Sequence, residues 1–208
     1  METFDTLAAQ DRIEATLESV RGRGIKAEVV DSGAEALARV KELIPSGSSV
    51  STGASLTLKQ IGFEALLMSG SHAWKNLKGE YLAEKDPARQ LQLRRQSTLA
   101  DYFLGSVHAV AATGEMVIAS MTGSQLAPYA YAARNVIWVV GTQKIMPSLD
   151  LAIRRVREFV LPHEDVRMRE SSAGKMGSRI GKLLIVEHEA LFLGRGVTLL
   201  LVREKLGD

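Results

Sequence analysis

The chain has no cysteine. That excludes disulfides, thiolate zinc sites, a cysteine nucleophile and iron–sulfur clusters ligated by cysteine of this chain, and it agrees with a reducing compartment. No apolar run approaches the roughly 18 residues needed to span a bilayer. The N-terminus is acidic and amphipathic and lacks the charged-then-apolar order of a secretory signal. The expectation is a cytoplasmic protein without a membrane span. Excess charge is also missing: 26 basic against 24 acidic residues leave a net +2, too little to argue for nucleic acid or anionic membrane as a partner. A basic cluster, Arg154, Arg155, Arg157, Arg167, Arg169, Lys175, Arg179 and Lys182, has no interleaved aromatic residues and reads as a solvated helix face and loop. The histidines, His72, His108, His163 and His188, stand at no metal-ligand spacing. No metal is expected, and His108, in an apolar strand, reads as a satisfied interior residue.

What is present is an ordinary globular composition, 46% hydrophobic and 24% charged. A length of 208 residues fits a single domain with a substantial core. Residues 5–21 carry Leu7, Ile13, Leu17 and Val20 on one helical stripe, so residues 1–24 read as an N-terminal helix and its stop. Ile25 to Val30 is a strand. Ser32 and Glu35 form a capping box before a helix with Leu37, Val40, Leu43 and Ile44 on its apolar face. Val50-Ser51-Thr52 is a strand end. Asp86-Pro87 starts a helix expected to run to Phe103 with Leu91, Leu99 and Tyr102 inward. Val107 to Ala112 and Met116 to Ala119 are strands, and Leu126 to Ala133 a helix. Val136 to Val140 is a continuous apolar run, as in a parallel strand covered on both faces. Leu149 to Phe159 is a helix, residues 163–181 a polar, mobile excursion, and Leu183 to Val186 and Val197 to Val202 closing strands. The alternation predicts an α/β fold: a mainly parallel open sheet with flanking helices.

Ligands of such sheets sit at the carboxyl ends of the strands, and three constellations fall there. Gly53, Ser55 and Thr57 follow a strand and precede a helix or turn. Backbone N–H groups and hydroxyls there suit a phosphate or carboxylate, though an N-capped turn without a ligand has the same pattern. The loop lacks the Walker ending, so nucleotide hydrolysis of that type is not indicated. Thr122, Gly123 and Ser124 form a second such loop, and the two together would make a divided anion site. Glu115, in Thr113-Gly114-Glu115, and Lys144, just beyond the buried strand, are the candidate catalytic acid–base or anion-orienting pair. Lys144 is expected on the crevice rim with a solvated head group.

The ordered segments Ala112-Thr113-Gly114-Glu115-Met116-Val117-Ile118-Ala119-Ser120, Gly123-Ser124-Gln125-Leu126-Ala127, Val136 to Ile145 and Leu149 to Val156 resemble the LUD domain family, named for lactate utilisation. Ser51 to Leu58 and Gly196 to Gly207 resemble it as well, so the likeness extends from about Ile13 to Gly207. It implies the fold shared by ribose-phosphate isomerases and coenzyme A transferases. It also implies a role in organic-acid metabolism: oxidation of L-lactate to pyruvate, with iron–sulfur clusters held by partner subunits and none in this chain. The ligand would be a small anionic metabolite, bound by Gly53, Ser55, Thr57, Gly123, Ser124 and the family's basic residue, here Lys144. Where the family often has Glu, this chain has Ala112, so no carboxylate there can form a covalent acyl intermediate. A non-catalytic metabolite sensor and a sugar-phosphate isomerase-like enzyme share these loops and stay open. Oligomeric state is not encoded in any of these features, and a homo-oligomer is compatible with them.

Overall fold

The structure, a computed structural model, describes residues 4–208. Its strands, in chain order, are β1 (Lys26–Val30), β2 (Ser49–Thr52), β3 (Lys75–Asn76), β4 (Tyr102–Gly105), β5 (Ala109–Ala111), β6 (Met116–Ser120), β7 (Asn135–Gly141), β8 (Ile145–Met146), β9 (Lys182–Val186) and β10 (Gly196–Val202). Six of them form an all-parallel sheet in the order β1-β10-β7-β4-β2-β3. The other four form a smaller mixed sheet, β8-β5-β6-β9. The helices are α1 (Gln10–Gly22), α2 (Gly33–Leu43), α3 (Leu56–Gln60), α4 (Phe63–Ser69), α5 (Leu77–Ala83), α6 (Pro87–Gln96), α7 (Leu149–Arg155) and α8 (Leu161–Ser171).

Side chains alternate across a strand, and the central strands show why an apolar run is needed. Val136, Trp138 and Val140 of β7 and Val197, Leu199 and Leu201 of β10 pack on one side with Ile13, Leu17 and Val20 of α1. Ile137, Val139, Leu200 and Val202 pack on the other with α2, α3 and α4. Both faces are dry, so neither strand has a polar side to show. The smaller sheet has its own core, Ala109, Ala111, Val117 and Met146 against Ala152 and Val156.

Local signals explain most boundaries. Ser32 Oγ accepts the Glu35 N–H at 3.2 Å, and the Glu35 carboxylate accepts the Asp31 N–H at 3.0 Å. Asp86 caps α6 by accepting the Arg89 N–H at 2.6 Å, with Pro87 at the first position.

Three expectations are corrected. The helix from Asp86 ends at Gln96, followed by a 3-10 turn, and Tyr102–Gly105 is strand β4, wedged between β2 and β7. Leu91 and Leu99 are exposed rather than inward. Strand pairing overrides helical preference for this short segment, which is too brief for its periodicity to declare itself. Residues 128–132 form a single π-helical turn instead of a regular helix. Helix α7 does not stop at Phe159: it passes through a π-helical turn (Val156–Val160) into α8. The stretch 163–181 is therefore helical as far as Ser171, and its return is tied by the Ser178 N–H to Asp165 Oδ1 at 2.7 Å.

Candidate functional site: a basic cavity at the strand ends

A cavity of about 330 Å³ opens at the carboxyl ends of the parallel strands, where chemistry is expected in an open sheet. Its walls come from four places. The turn after β2 supplies Ser55 and Thr57, and the segment after β4 supplies Ser106 and His108. The end of β6 supplies Thr122, Ser124 and Gln125, and α8 with its return supplies Glu164, Arg167 and Arg179. Lys144, Arg94, Gly207 and Asp208 complete it.

The two hydroxyl-bearing loops meet, as their sequences suggest. A Cβ on Gly53 would stand 3.2 Å from Gln125 Oε1, so the loops are in contact there. Gly53 and Gly123 shape the loops without lining the cavity. Ser55 Oγ caps α3 by accepting the Leu58 N–H at 3.3 Å. Thr122 Oγ1 donates to Ser124 Oγ at 3.1 Å, and Arg94 donates to the same hydroxyl at 3.3 Å. Thr57 Oγ1 donates to the Leu206 carbonyl at 3.3 Å and accepts from Lys144 at 3.3 Å.

Lys144 is not a rim residue. It is 3% exposed, because the 3-10 turn Thr142–Lys144 after β7 folds its side chain beneath the strand ends. Nζ donates to Thr57 Oγ1, to Ser106 Oγ at 3.4 Å and to the Val107 carbonyl at 3.5 Å. Burial, with the positive Arg155 nearby, lowers its pKa to about 7, against the weaker pull of Asp208 and Asp5. Desolvation penalises the charged amine, and none of the hydrogen bonds it donates goes to a carboxylate.

Glu115 is elsewhere. It ends the β5–β6 turn, paired with Arg23 at 2.5 Å and hydrogen-bonded by Thr113. Arg23 also donates to the Thr113 and Glu187 carbonyls. Glu115 is a structural partner of the α1 end and does not line the cavity, so the acid–base pairing of Glu115 with Lys144 is not assembled.

Two residues with no sequence signal for function lie in the cavity wall and directly behind it. His108 lines the cavity, and its Nδ1 accepts the Ala119 N–H at 3.2 Å. That bond places the ring proton on Nε2. Burial, then Lys144 and Arg155, lowers the imidazole to about 3, so the ring is neutral at physiological pH. Arg155, expected on a solvated face, is fully buried. It donates to the His108 carbonyl at 2.5 Å and the Phe4 carbonyl at 2.8 Å, and its remaining Nη2 has no partner among the described residues. Burial lowers it to about 10, so it stays charged. Lys78, which no sequence motif singles out, donates to the Gly53 carbonyl at 3.3 Å and pairs with Glu64.

Among the described residues no group of His, Asp and Glu is arranged to hold a metal ion, and no helix is long and apolar enough to cross a membrane. A solved structure described as a DUF162 family protein from Deinococcus radiodurans is similar in fold. It has a TM-score of 0.56 and 11% identity, and the match covers 95% of this chain and 99% of that one. No curated protein matches the chain significantly. The LUD domain family model matches residues 13–190, which include every strand but β10 and most of the cavity wall, and the chain belongs to that family.

Proposed function

We propose that the cavity binds a small organic anion and that the chain acts in organic-acid metabolism of the lactate-utilisation kind. The observation that carries this is Lys144 and Arg155, two buried cations without an ion-pair partner among the described residues. Lys144 is on the cavity wall, while Arg155 stands behind it, bonded to the His108 carbonyl. Arg94 and Arg179 add positive charge at the opening, and the hydroxyls of Ser55, Thr57, Ser106 and Ser124 add hydrogen-bonding groups. Glu164 is neutralised by Arg167. A carboxylate or phosphate would supply the missing countercharge, and a site of this depth keeps such interactions strong.

The iron–sulfur chemistry implied by the family would be carried by partner subunits. The isomerase reading loses its base, since Glu115 is bound to Arg23. The test is a thermal-shift screen of carboxylated and phosphorylated metabolites followed by calorimetry. A binding anion should lose about 1–3 kcal/mol of affinity in Arg94→Ala or Lys144→Met, and it should bind more weakly as salt rises. No stabilisation by any anion at low salt would remove the reading.

A further inference from the structure

We propose that Lys144 is a carbonyl-reactive amine, and that the cavity takes a small anionic aldehyde or ketone as an imine on its Nζ. The inference rests on the anion site just described and adds a covalent step to it. Three features of the geometry point there. Lys144 lines a cavity, and its Nζ is held only by two hydroxyls and a carbonyl, at 3.3, 3.4 and 3.5 Å, long bonds that leave its lone pair available once a proton is lost. No carboxylate pairs with it, although a lysine kept charged for structure ordinarily has one when buried. A neutral imidazole with its proton fixed on Nε2 shares the same wall, and that N–H has no protein acceptor among the described residues. Such a donor suits a carbonyl oxygen.

The groups around the amine leave a substantial share of it unprotonated near neutrality. Arg155 of α7 repels its proton, Asp208 and Asp5 attract it more weakly, and His108 is uncharged. Glycine at 207 leaves the approach clear, since a Cβ there would lie 2.8 Å from Nζ.

The step is balanced without an oxidant or reductant. The Nζ lone pair attacks the carbonyl carbon and a C–N bond forms. The oxygen, hydrogen-bonded by His108 Nε2–H, takes up the proton released from nitrogen. The resulting carbinolamine loses water to give the imine. Arg94 and Arg179 would hold the anionic group.

The experiment uses the whole chain with glyoxylate as probe, sodium cyanoborohydride to trap the imine, and peptide mass mapping. Glycolate, which has no carbonyl, is the competitor, and acetaldehyde the uncharged control. Lys144 should be labelled roughly a hundredfold faster than the exposed Lys59 and Lys175, because an ordinary solvated lysine amine is almost fully protonated at neutral pH. Glycolate should slow it, acetaldehyde should label it poorly, and Lys144→Met should abolish it while leaving the melting temperature at or above that of the wild type. Glyoxylate and glycolate that raise the melting temperature without label on Lys144 would overturn the imine and leave anion binding standing. Label on Lys144 that glycolate does not slow and acetaldehyde matches would keep the reactive amine and remove the anion site. Label confined to surface lysines, with no thermal shift, would remove both.

Discussion

Lys144→Met should flatten the pH dependence of stability above neutrality. In the folded chain, burial and the nearby Arg155 bring Lys144 to about 7, whereas an unfolded lysine titrates near ~10.4. Between these values the unfolded chain carries a proton that the folded chain has released. Unfolding then takes up a proton, so stability rises with pH across that window. Below about 7 both states are protonated and the full penalty of burying the ammonium applies. Each unit is worth about 1.4 kcal/mol, so the whole window amounts to something on the order of 4 kcal/mol. Methionine keeps an unbranched stem and removes the charge. The hydrogen bonds it forfeits are 3.3–3.5 Å long and worth at most about 1 kcal/mol each. The variant should therefore be at least as stable as the wild type near neutrality. Urea unfolding of both proteins at several pH values checks this, since the difference between them cancels every other titrating group. The wild type should gain on the variant by about 1.4 kcal/mol per unit between about pH 7.5 and 9.5. Parallel curves would refute the claim that this amine is buried without a countercharge.

Other substitutions test the frame around the cavity. Gly105→Ala would place a Cβ 1.5 Å from the Tyr129 hydroxyl, which is packed against Ser106; the loss should be about 3 kcal/mol or more, read by denaturant midpoint. Arg195 is almost fully buried, pairs with Glu189 at 2.8 Å and holds the carbonyls of Pro128, Tyr129 and Ala133. Arg195→Ala should cost about 3–5 kcal/mol by the same assay, because it strands a buried carboxylate. Glu115→Gln should lower stability through the weakened Arg23 contact yet leave the affinity of any cavity ligand unchanged; a lost affinity would return Glu115 to the site.

The sequence carried the parallel sheet because the physics there is local and one-dimensional. Val136 to Val140 has no polar side, and that alone demands cover on both faces. Ser32 and Asp86 mark helix starts because capping is a matter of one side chain and the next turn's N–H groups. What failed were segments whose state is set by neighbours distant in the chain. Tyr102–Gly105 is a strand because β2 and β7 are already there to receive it. Residues 72–84 became β3 and α5 for the same kind of reason, with Asn76 capping α5 by accepting the Gly79 N–H at 2.8 Å. The second sheet was half visible as the β5–β6 hairpin, but nothing in sequence spacing reveals that β9 closes against β6.

The candidate site divides along the same line. That Ser55, Thr57, Thr122 and Ser124 face one space follows from strand–loop–helix order, since each loop leaves a strand end. Lys144 was placed near them for a sound reason, its distance from a buried strand, but whether a turn throws a side chain outward or under the sheet depends on backbone angles that residue names do not encode. The burial of Arg155 and the role of His108 depend on each other: the guanidinium takes the His108 carbonyl, while the ring is locked by Ala119. The electrostatic consequence is therefore readable only in three dimensions. Arg155 is satisfied mostly by carbonyl oxygens, which stabilise a cation without cancelling its field. Lys144, in range of that field, cannot easily hold its own proton. A carboxylate bound in the cavity would return both toward their ordinary ionisation, so the buried positive charge that costs the fold stability is the same charge that would reward an anionic ligand.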